Sequence, residues 1–443
     1  MNTYIIRPKE TMVERSIAVA MVSMAVEDRA RQIARVIRLR AADPIYRDIH
    51  RWIANWRPAP TRTRTTSADP TVATASASPT QRRKSDAKRR ARGDGARDEP
   101  AVRDAPITGT IIVNLSDEDA ARMRQELPDV LVLRDEPIAL IPPQRITTTA
   151  KEVVTASDLW HLEAIGLAGA RERGFRGTGI GTVIAVLDTG IDPSHPELSG
   201  KVTQAVTFDA RLEVWAAQPI SPSIDTEGHG THVAGLICGV TVGVAPGARL
   251  LNGIMIPGGT GTLSDFILAL EWASRQPEAQ IVNMSAGILG YVEELHAALA
   301  DVRLVGILPV FAIGNEGRDR TRSPGNYAEA VSVGAADRRD ESYGVASFSG
   351  SGTLVVDHHQ YRVPDLVAPG KGVYSSVKGG GYEAWDGTSM ATPIVAGVAA
   401  LILEKQPAIT LLDLEDTLFS TCLDLGLPAD RQGWGLVQVK AAL

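Results

Sequence analysis

At 443 residues the chain has room for two or three domains, at least one of them with a large core. Its 44% hydrophobic and 22% charged content matches an ordinary soluble globular protein, and a net charge of −6 argues against bulk attraction to nucleic acid. Two cysteines, Cys238 and Cys422, are too few for a disulfide framework and are read as small buried apolar side chains.

Residues 1–57 open with a strand-like run, Thr3 to Ile6, followed by a long helical pattern from Met12 to Leu39 and a second amphipathic piece from Ile45 to Trp56. No stretch reaches the ~18 apolar residues that span a bilayer. Ser16 to Val26 has the character of a secretion-signal core, but Glu10 and Glu14 stand where a basic leader belongs, and no clean cleavage site precedes Glu27 and Asp28. The run is therefore read as a buried helix, and the chain is expected to be cytoplasmic rather than secreted. From 58 to 106 the composition turns to Thr, Ser, Ala, Pro and Arg, too poor in large apolar groups to offset ordering entropy, so a disordered basic linker is expected. Its run from Arg82 to Arg92 is interspersed with Asp86 and followed by Asp94, Asp98 and Glu99, with no aromatic residues; a solvated tether fits better than a nucleic-acid contact.

Residues 107–146 form a strand–helix–strand unit. Ile111-Ile-Val113 reads as a strand, and Ser116 caps a helix to Leu127 with a carboxylate at Asp119. Val130 to Leu133 and Ile138 to Ile141 return as strands. Residues 147–158 are a polar connection, and from 159 to 443 short apolar runs alternate with helical patterns. The strands are Gly181–Leu187, Ala248–Met255, Ile281–Met284, Leu308–Ile313 and Ala330–Val333; the helices are Thr231–Cys238, Leu263–Arg275, Val292–Asp301 and Ala391–Glu404. This alternation predicts an α/β domain with a doubly wound, mostly parallel sheet and helices on both faces.

Three motifs in that domain carry chemistry. Val186-Leu-Asp188-Thr-Gly-Ile-Asp192 ends a strand on a carboxylate, where ligand sites of such sheets lie. Gly228-His229-Gly-Thr-His232-Val-Ala-Gly opens a helix with an imidazole, and Gly387-Thr-Ser389-Met-Ala-Thr-Pro393 sets a hydroxyl at the mouth of a long apolar helix. A serine hydroxyl becomes a useful nucleophile when a histidine takes its proton and a buried aspartate fixes the imidazole's tautomer. The helix N-terminus at Ser389 also offers free N–H groups and positive dipole to an oxyanion. The order Asp, His, Ser differs from that of α/β-hydrolases and of chymotrypsin-like enzymes.

On these motifs the chain resembles the subtilisin-like serine peptidases, the subtilase family, over nearly all of residues 159–443, including the closing Gly433-Trp-Gly-Leu-Val-Gln-Val439. The resemblance implies a subtilisin-like fold and a serine endopeptidase working through an acyl-enzyme. Asp188, His229 and Ser389 match the catalytic triad, with His232 a packing residue, and Asn315 in Ala312-Ile-Gly-Asn-Glu-Gly317 matches the oxyanion asparagine. Gly259-Thr260-Gly261 and Ser285-Ala286-Gly287 look like the two extended segments that bind substrate as an added strand, and Ala286, Gly287, Ala312 and Gly314 would wall the specificity pocket. The partners implied are protein or peptide substrates. Residues 107–146 look like the second half of an inhibitory propeptide whose first half lies in residues 3–40, the linker interrupting it; this makes a small α+β N-terminal domain and the chain's own inhibitor. The polar stretch Gln144 to Ala156 is expected to thread towards Ser389 and be cut.

The chain departs from the family in two places. Many members coordinate calcium with an Asn-rich loop, but here residues 233–243 offer no carboxylate or amide ligand, so the usual calcium site is expected to be absent and no cofactor required. Arg322 stands where small residues often form the pocket base; it either points to solvent or gives the pocket a positive end. Asp192, His195, His358 and His359 are read as turn and loop residues with no metal site among them. A second functional class is a catalytically silent subtilisin-like binding or regulatory module, against which the intact Asp188, His229, Asn315 and Ser389 argue.

Overall fold

The computed structural model describes residues 1–10, 26–56, 102–146, 149–208, 216–218, 220, 224–340, 342–356 and 358–443. The basic run at 82–92 and most of the apolar run at 16–26 lie outside these residues.

A nine-stranded sheet organises the larger part of the chain. Its strands lie in the order Ser342–Val345, Val331–Arg339, Leu308–Ala312, Ala279–Met284, Val183–Asp188, Arg249–Ile254, Val202–Thr207 and Ala216–Ala217, with Leu366–Pro369 also paired to Val331–Arg339. The inner pairings are parallel, as the near-continuous apolar runs require, and only the two outermost strands run antiparallel to their neighbours. Two cores result. On one face the helices His229–Cys238 and Thr388–Lys405 join a cluster with Ile184, Val186 and Val310. On the other, Leu263–Arg275 and His296–Leu304 pack with Ala185, Leu187 and Phe311. The alternation of Ile184 and Val186 against Ala185 and Leu187 is the period of two that sends side chains to opposite faces.

Helix Thr388–Lys405 is long and apolar enough to cross a membrane, a length the sequence reading passed over, and it is the one such helix among the described residues. Here it is the central core helix, buried from Thr388 to Leu403. Its apolarity on every side follows from contacts to the sheet, to the His229 helix and to Leu411–Ser420.

The N-terminal part builds a second, antiparallel sheet in the order Val102–Ala105, Thr110–Leu115, Asn2–Pro8, Val130–Arg134. Strand Val102–Ala105 corrects the expected linker, whose end at 106 was set by composition; Val102, Arg103 and Asp104 look like tether but complete a ladder against Thr110–Leu115. Helices Pro44–Asn55 and Asp117–Glu126 cover one face through Tyr46, Ile49, Ile53, Ala120 and Met123. The first starts where Asp43 accepts hydrogen bonds from the Ile45 and Tyr46 amides, with Pro44 at its first position. The opposite face, with Ile5, Ile112 and helix Val26–Ala42, shares the buried cluster of Phe266 and Leu299. The described helix begins at Val26 and runs to Ala42, whereas a helix from Met12 to Leu39 was expected; residues 11–25 lie outside the described set.

Candidate active site

Asp188 ends its strand fully buried, and its two carboxylate oxygens lie 2.8 and 3.0 Å from Nδ1 of His229. The Thr189 amide also donates to Asp188, at 2.7 Å, which fixes the carboxylate plane. His229 is the first residue of its helix, and Asp225 secures that start. One Asp225 oxygen accepts from the Thr231 amide and hydroxyl at 2.9 and 2.6 Å, the other from the Gly228 amide and the Thr189 hydroxyl at 2.8 Å each. Gly230 has to be glycine, since a Cβ there would sit 1.9 Å from the Gly190 carbonyl oxygen. The helix is thereby pressed onto the loop that carries Asp188. Nε2, the other nitrogen of His229, is buried without a partner and free to take a proton.

His232 serves a different purpose. Its ring stacks on Trp385 with centroids 4.3 Å apart, Nε2 lies 3.1 Å from the Glu383 carbonyl, and burial pushes its pKa down to about 3. A group so reluctant to take a proton is a neutral spacer. Trp385 also stands 6.2 Å from the His229 ring, and together the three rings pack the floor behind the imidazole.

Asn315 follows strand Leu308–Ala312 and is oriented by Thr388. The Asn315 side-chain oxygen accepts from the Thr388 amide and hydroxyl, both at 2.9 Å, so the amide nitrogen faces the cleft. There it donates to the carbonyl of Pro142 at 3.1 Å. The Ser389 hydroxyl, at the start of its helix, donates to the carbonyl of Ile141 at 3.4 Å.

What fills the cleft is this chain's own strand Pro137–Leu140. It runs antiparallel to Thr260–Thr262 on one side, with Gly261 opposite Ile138, and to Ala286–Leu289 on the other, with Gly287 opposite Ala139. The Ile141 amide then donates to the Ser285 carbonyl at 3.2 Å. Gly259 precedes the first flanking strand with φ +78°, turning the chain into it. The segment at the serine was expected within Gln144–Ala156; it is Ile141–Pro142 instead. Strand pairing sets that register, and Gln144–Arg145 runs past the serine to pair with Trp385 and Asp386, followed by Lys151 against Tyr382.

Arg322 neither points to solvent nor supplies a free positive end. It lies across from two expected pocket walls, since a Cβ on Gly287 would meet the Arg322 Cβ at 3.2 Å and one on Gly314 its Cγ at 3.2 Å. Its guanidinium donates to the Gly287 carbonyl at 2.9 Å and pairs with Glu316 at 2.6 Å. Ala286 and Ala312, the other two walls, are buried. Asp225, Trp385, Thr388 and Glu316 were not singled out from sequence; each acts through a neighbour, and the only signal was that Thr388 and Glu316 lie inside the quoted motifs and Asp225 and Trp385 a few residues before them.

The subtilase family profile matches residues 179–435. The chain belongs to the subtilase family. Alkaline elastase YaB of Bacillus sp. (strain YaB) is 36% identical over 316 residues, covering 70% of this chain and 75% of the relative. Subtilisin Savinase of Lederbergia lenta is 35% identical over 290 residues, 64% of this chain and 97% of the relative. Among solved structures, fervidolysin from Fervidobacterium pennivorans, described as a keratinolytic enzyme related to subtilisin, superposes with a TM-score of 0.63 at 25% identity. The likeness covers 76% of this chain and 56% of the fervidolysin chain. This subtilase is accordingly an α/β protein and a subtilisin-like serine protease.

Proposed function

We propose that this subtilase hydrolyses peptide bonds through an acyl-enzyme, with Ser389 as nucleophile, His229 as general base and then acid, and Asp188 holding the imidazole. Ser389 Oγ attacks the substrate carbonyl carbon while His229 Nε2 takes its proton. The developing oxyanion receives hydrogen bonds from the Asn315 amide and the Ser389 backbone N–H. His229 then protonates the departing nitrogen, and water repeats the sequence to release the acid. The observation that carries this reading is convergence: the Ser389 hydroxyl and the Asn315 amide donate to successive carbonyls just after strand Pro137–Leu140, and Asp188 holds Nδ1 of His229 while its Nε2 is left without a partner. Substrate would take the place of Pro137–Leu140 between Thr260–Thr262 and Ala286–Leu289, so the N-terminal region acts as the chain's own inhibitor. No calcium is required at residues 239–243 in this reading, because the Glu197 carboxylate accepts hydrogen bonds from the Thr241 and Val242 amides there.

The test is peptide hydrolysis and fluorophosphonate labelling of the purified protein. Ser389→Ala and His229→Ala should abolish hydrolysis, and Ser389→Ala the labelling as well. Asn315→Ala should retain weak activity, reduced about 100- to 1,000-fold, as when such a donor is removed from a subtilisin. Wild-type turnover in Ser389→Ala would remove the nucleophile, and absent labelling that persists when Ile138→Asp loosens the strand in the cleft would leave a silent binding module.

A further inference from the structure

We infer that the bond presented to Ser389 in this chain is one the enzyme does not cut, so that Ile138–Pro142 is a standing inhibitor of its own active site; this rests on the peptidase reading. The segment binds as a substrate would, hydrogen-bonded as the middle strand of three, with the Ile141 amide on the Ser285 carbonyl. Two carbonyls compete for attack. Ser389 lies against that of Ile141 and Asn315 against that of Pro142. In either case the nitrogen that must leave belongs to a proline, Pro142 in the first and Pro143 in the second.

Cleavage needs that nitrogen to be protonated. Ser389 Oγ bonds to the carbonyl carbon and its proton passes to His229. The carbon–nitrogen bond breaks, leaving an acyl-enzyme, only if His229 returns the proton to the nitrogen. In proline a ring carbon occupies the position where other residues carry N–H. The ring crowds the imidazole and restricts the rotation by which the nitrogen turns its lone pair towards it. Attack therefore reverts to the intact peptide.

The segment is also held in place from both ends. Upstream, Asp135 accepts from the Ser264 amide and hydroxyl at 2.9 and 2.5 Å, capping helix Leu263–Arg275. Buried Glu271 on that helix accepts from the amides of Ile107 and Thr108 at 2.9 and 3.1 Å. Downstream, Gln144–Arg145 joins the strand that leads to Ser389. A tethered, pre-ordered occupant competes at an effective concentration on the order of millimolar. A free peptide must overcome that before it reaches the serine.

The experiment uses full-length protein and reads intact mass under denaturing conditions together with hydrolysis of a fluorogenic peptide. Four forms are compared, each beside its Ser389→Ala counterpart: wild type, Pro142→Ala/Pro143→Ala, Ile138→Asp and Leu140→Asp. Wild type should remain uncut between Ile141 and Gln144 and turn over peptide at least ~10-fold more slowly than one of the aspartate variants, which loosen the strand. The double alanine variant should be cut after residue 141 or 142, and only with Ser389 present. A wild-type fragment beginning at Pro142 or Pro143 overturns the inference. So does a double alanine variant that stays whole while an aspartate variant hydrolyses peptide. If every form fails both to hydrolyse peptide and to label with fluorophosphonate, the peptidase reading falls and takes this inference with it.

Discussion

Glu316 and Arg322 show how a single pairing alters what a side chain means. Arg322 alone would place a positive charge beside the Gly287 and Gly314 walls, favouring acidic residues before the cleaved bond. Glu316 lies 2.6 Å from its guanidinium, and the two side chains are only 16% and 17% exposed, so the charge is largely neutralised. The neutral Glu316→Gln change should release it. Cleavage after Glu or Asp, relative to a large apolar residue, should rise about fivefold, the ~1 kcal/mol available from a partly exposed ion pair. Added salt should erode the gain. A peptide-library profile identical in wild type and Glu316→Gln would show that Arg322 does not act on the bound residue. The same dependence on a neighbour governs Asn315, whose amide faces the cleft because Thr388 occupies its oxygen.

Among the elements, the turn after the His229 helix is held by a carboxylate from elsewhere in the chain. Gly239 and Gly243 bound it, and the Glu197 carboxylate accepts from the amides of Thr241 and Val242 at 2.7 and 3.3 Å. The other Glu197 oxygen accepts from the Tyr382 hydroxyl at 2.7 Å, tying the turn to the strand that leads into Ser389. Three protein donors thus hold this carboxylate. Chelator should leave the melting temperature unchanged, because a ligand that does not bind the native state cannot stabilise it. Glu197→Gln, which loses the charge on those hydrogen bonds, should cost about 1–3 kcal/mol in calorimetry. A chelator-induced drop of many degrees in wild type would reveal a cation bound elsewhere and overturn calcium independence.

At the scale of the whole molecule, the N-terminal sheet docks through a buried charge cluster as well as apolar packing. Arg40 and Asp301 are both fully buried and meet at 2.8 Å, with Arg7 3.6 Å from the same carboxylate oxygen. Arg40 also donates to the Pro106 carbonyl at 3.3 Å, which joins the two halves of the N-terminal part across 66 residues of sequence. Breaking one partner of a buried pair typically costs 3–5 kcal/mol, far more than the pair contributes over an apolar substitute. Arg40→Ala should therefore destabilise the intact protein by about 3 kcal/mol and raise its peptide hydrolysis as docking weakens. Full stability with unchanged activity would mean that apolar packing alone holds the domain.

Local sequence determined which residues are proposed to be catalytic. Asp188, His229, Asn315 and Ser389 each sit in a motif whose glycines and small residues dictate a turn at the end of a strand or the start of a helix. Residues within ten positions suffice to specify such a turn. The alternation of apolar runs determined the parallel sheet and its two helical faces for the same reason, since side-chain period is a local property. Tertiary structure alone decided what lies opposite those motifs. Val102–Ala105 reads as linker until Thr110–Leu115 pairs with it, and Arg322 reads as a free charge until Glu316 meets it. Ile138–Pro142 reads as one more strand until Thr260–Thr262 and Ala286–Leu289 close around it. The first two contacts are close in sequence but carry no local signal in composition; the last joins strands more than a hundred residues apart and depends on register and on which edge is left open, neither of which is written in any single stretch of the chain.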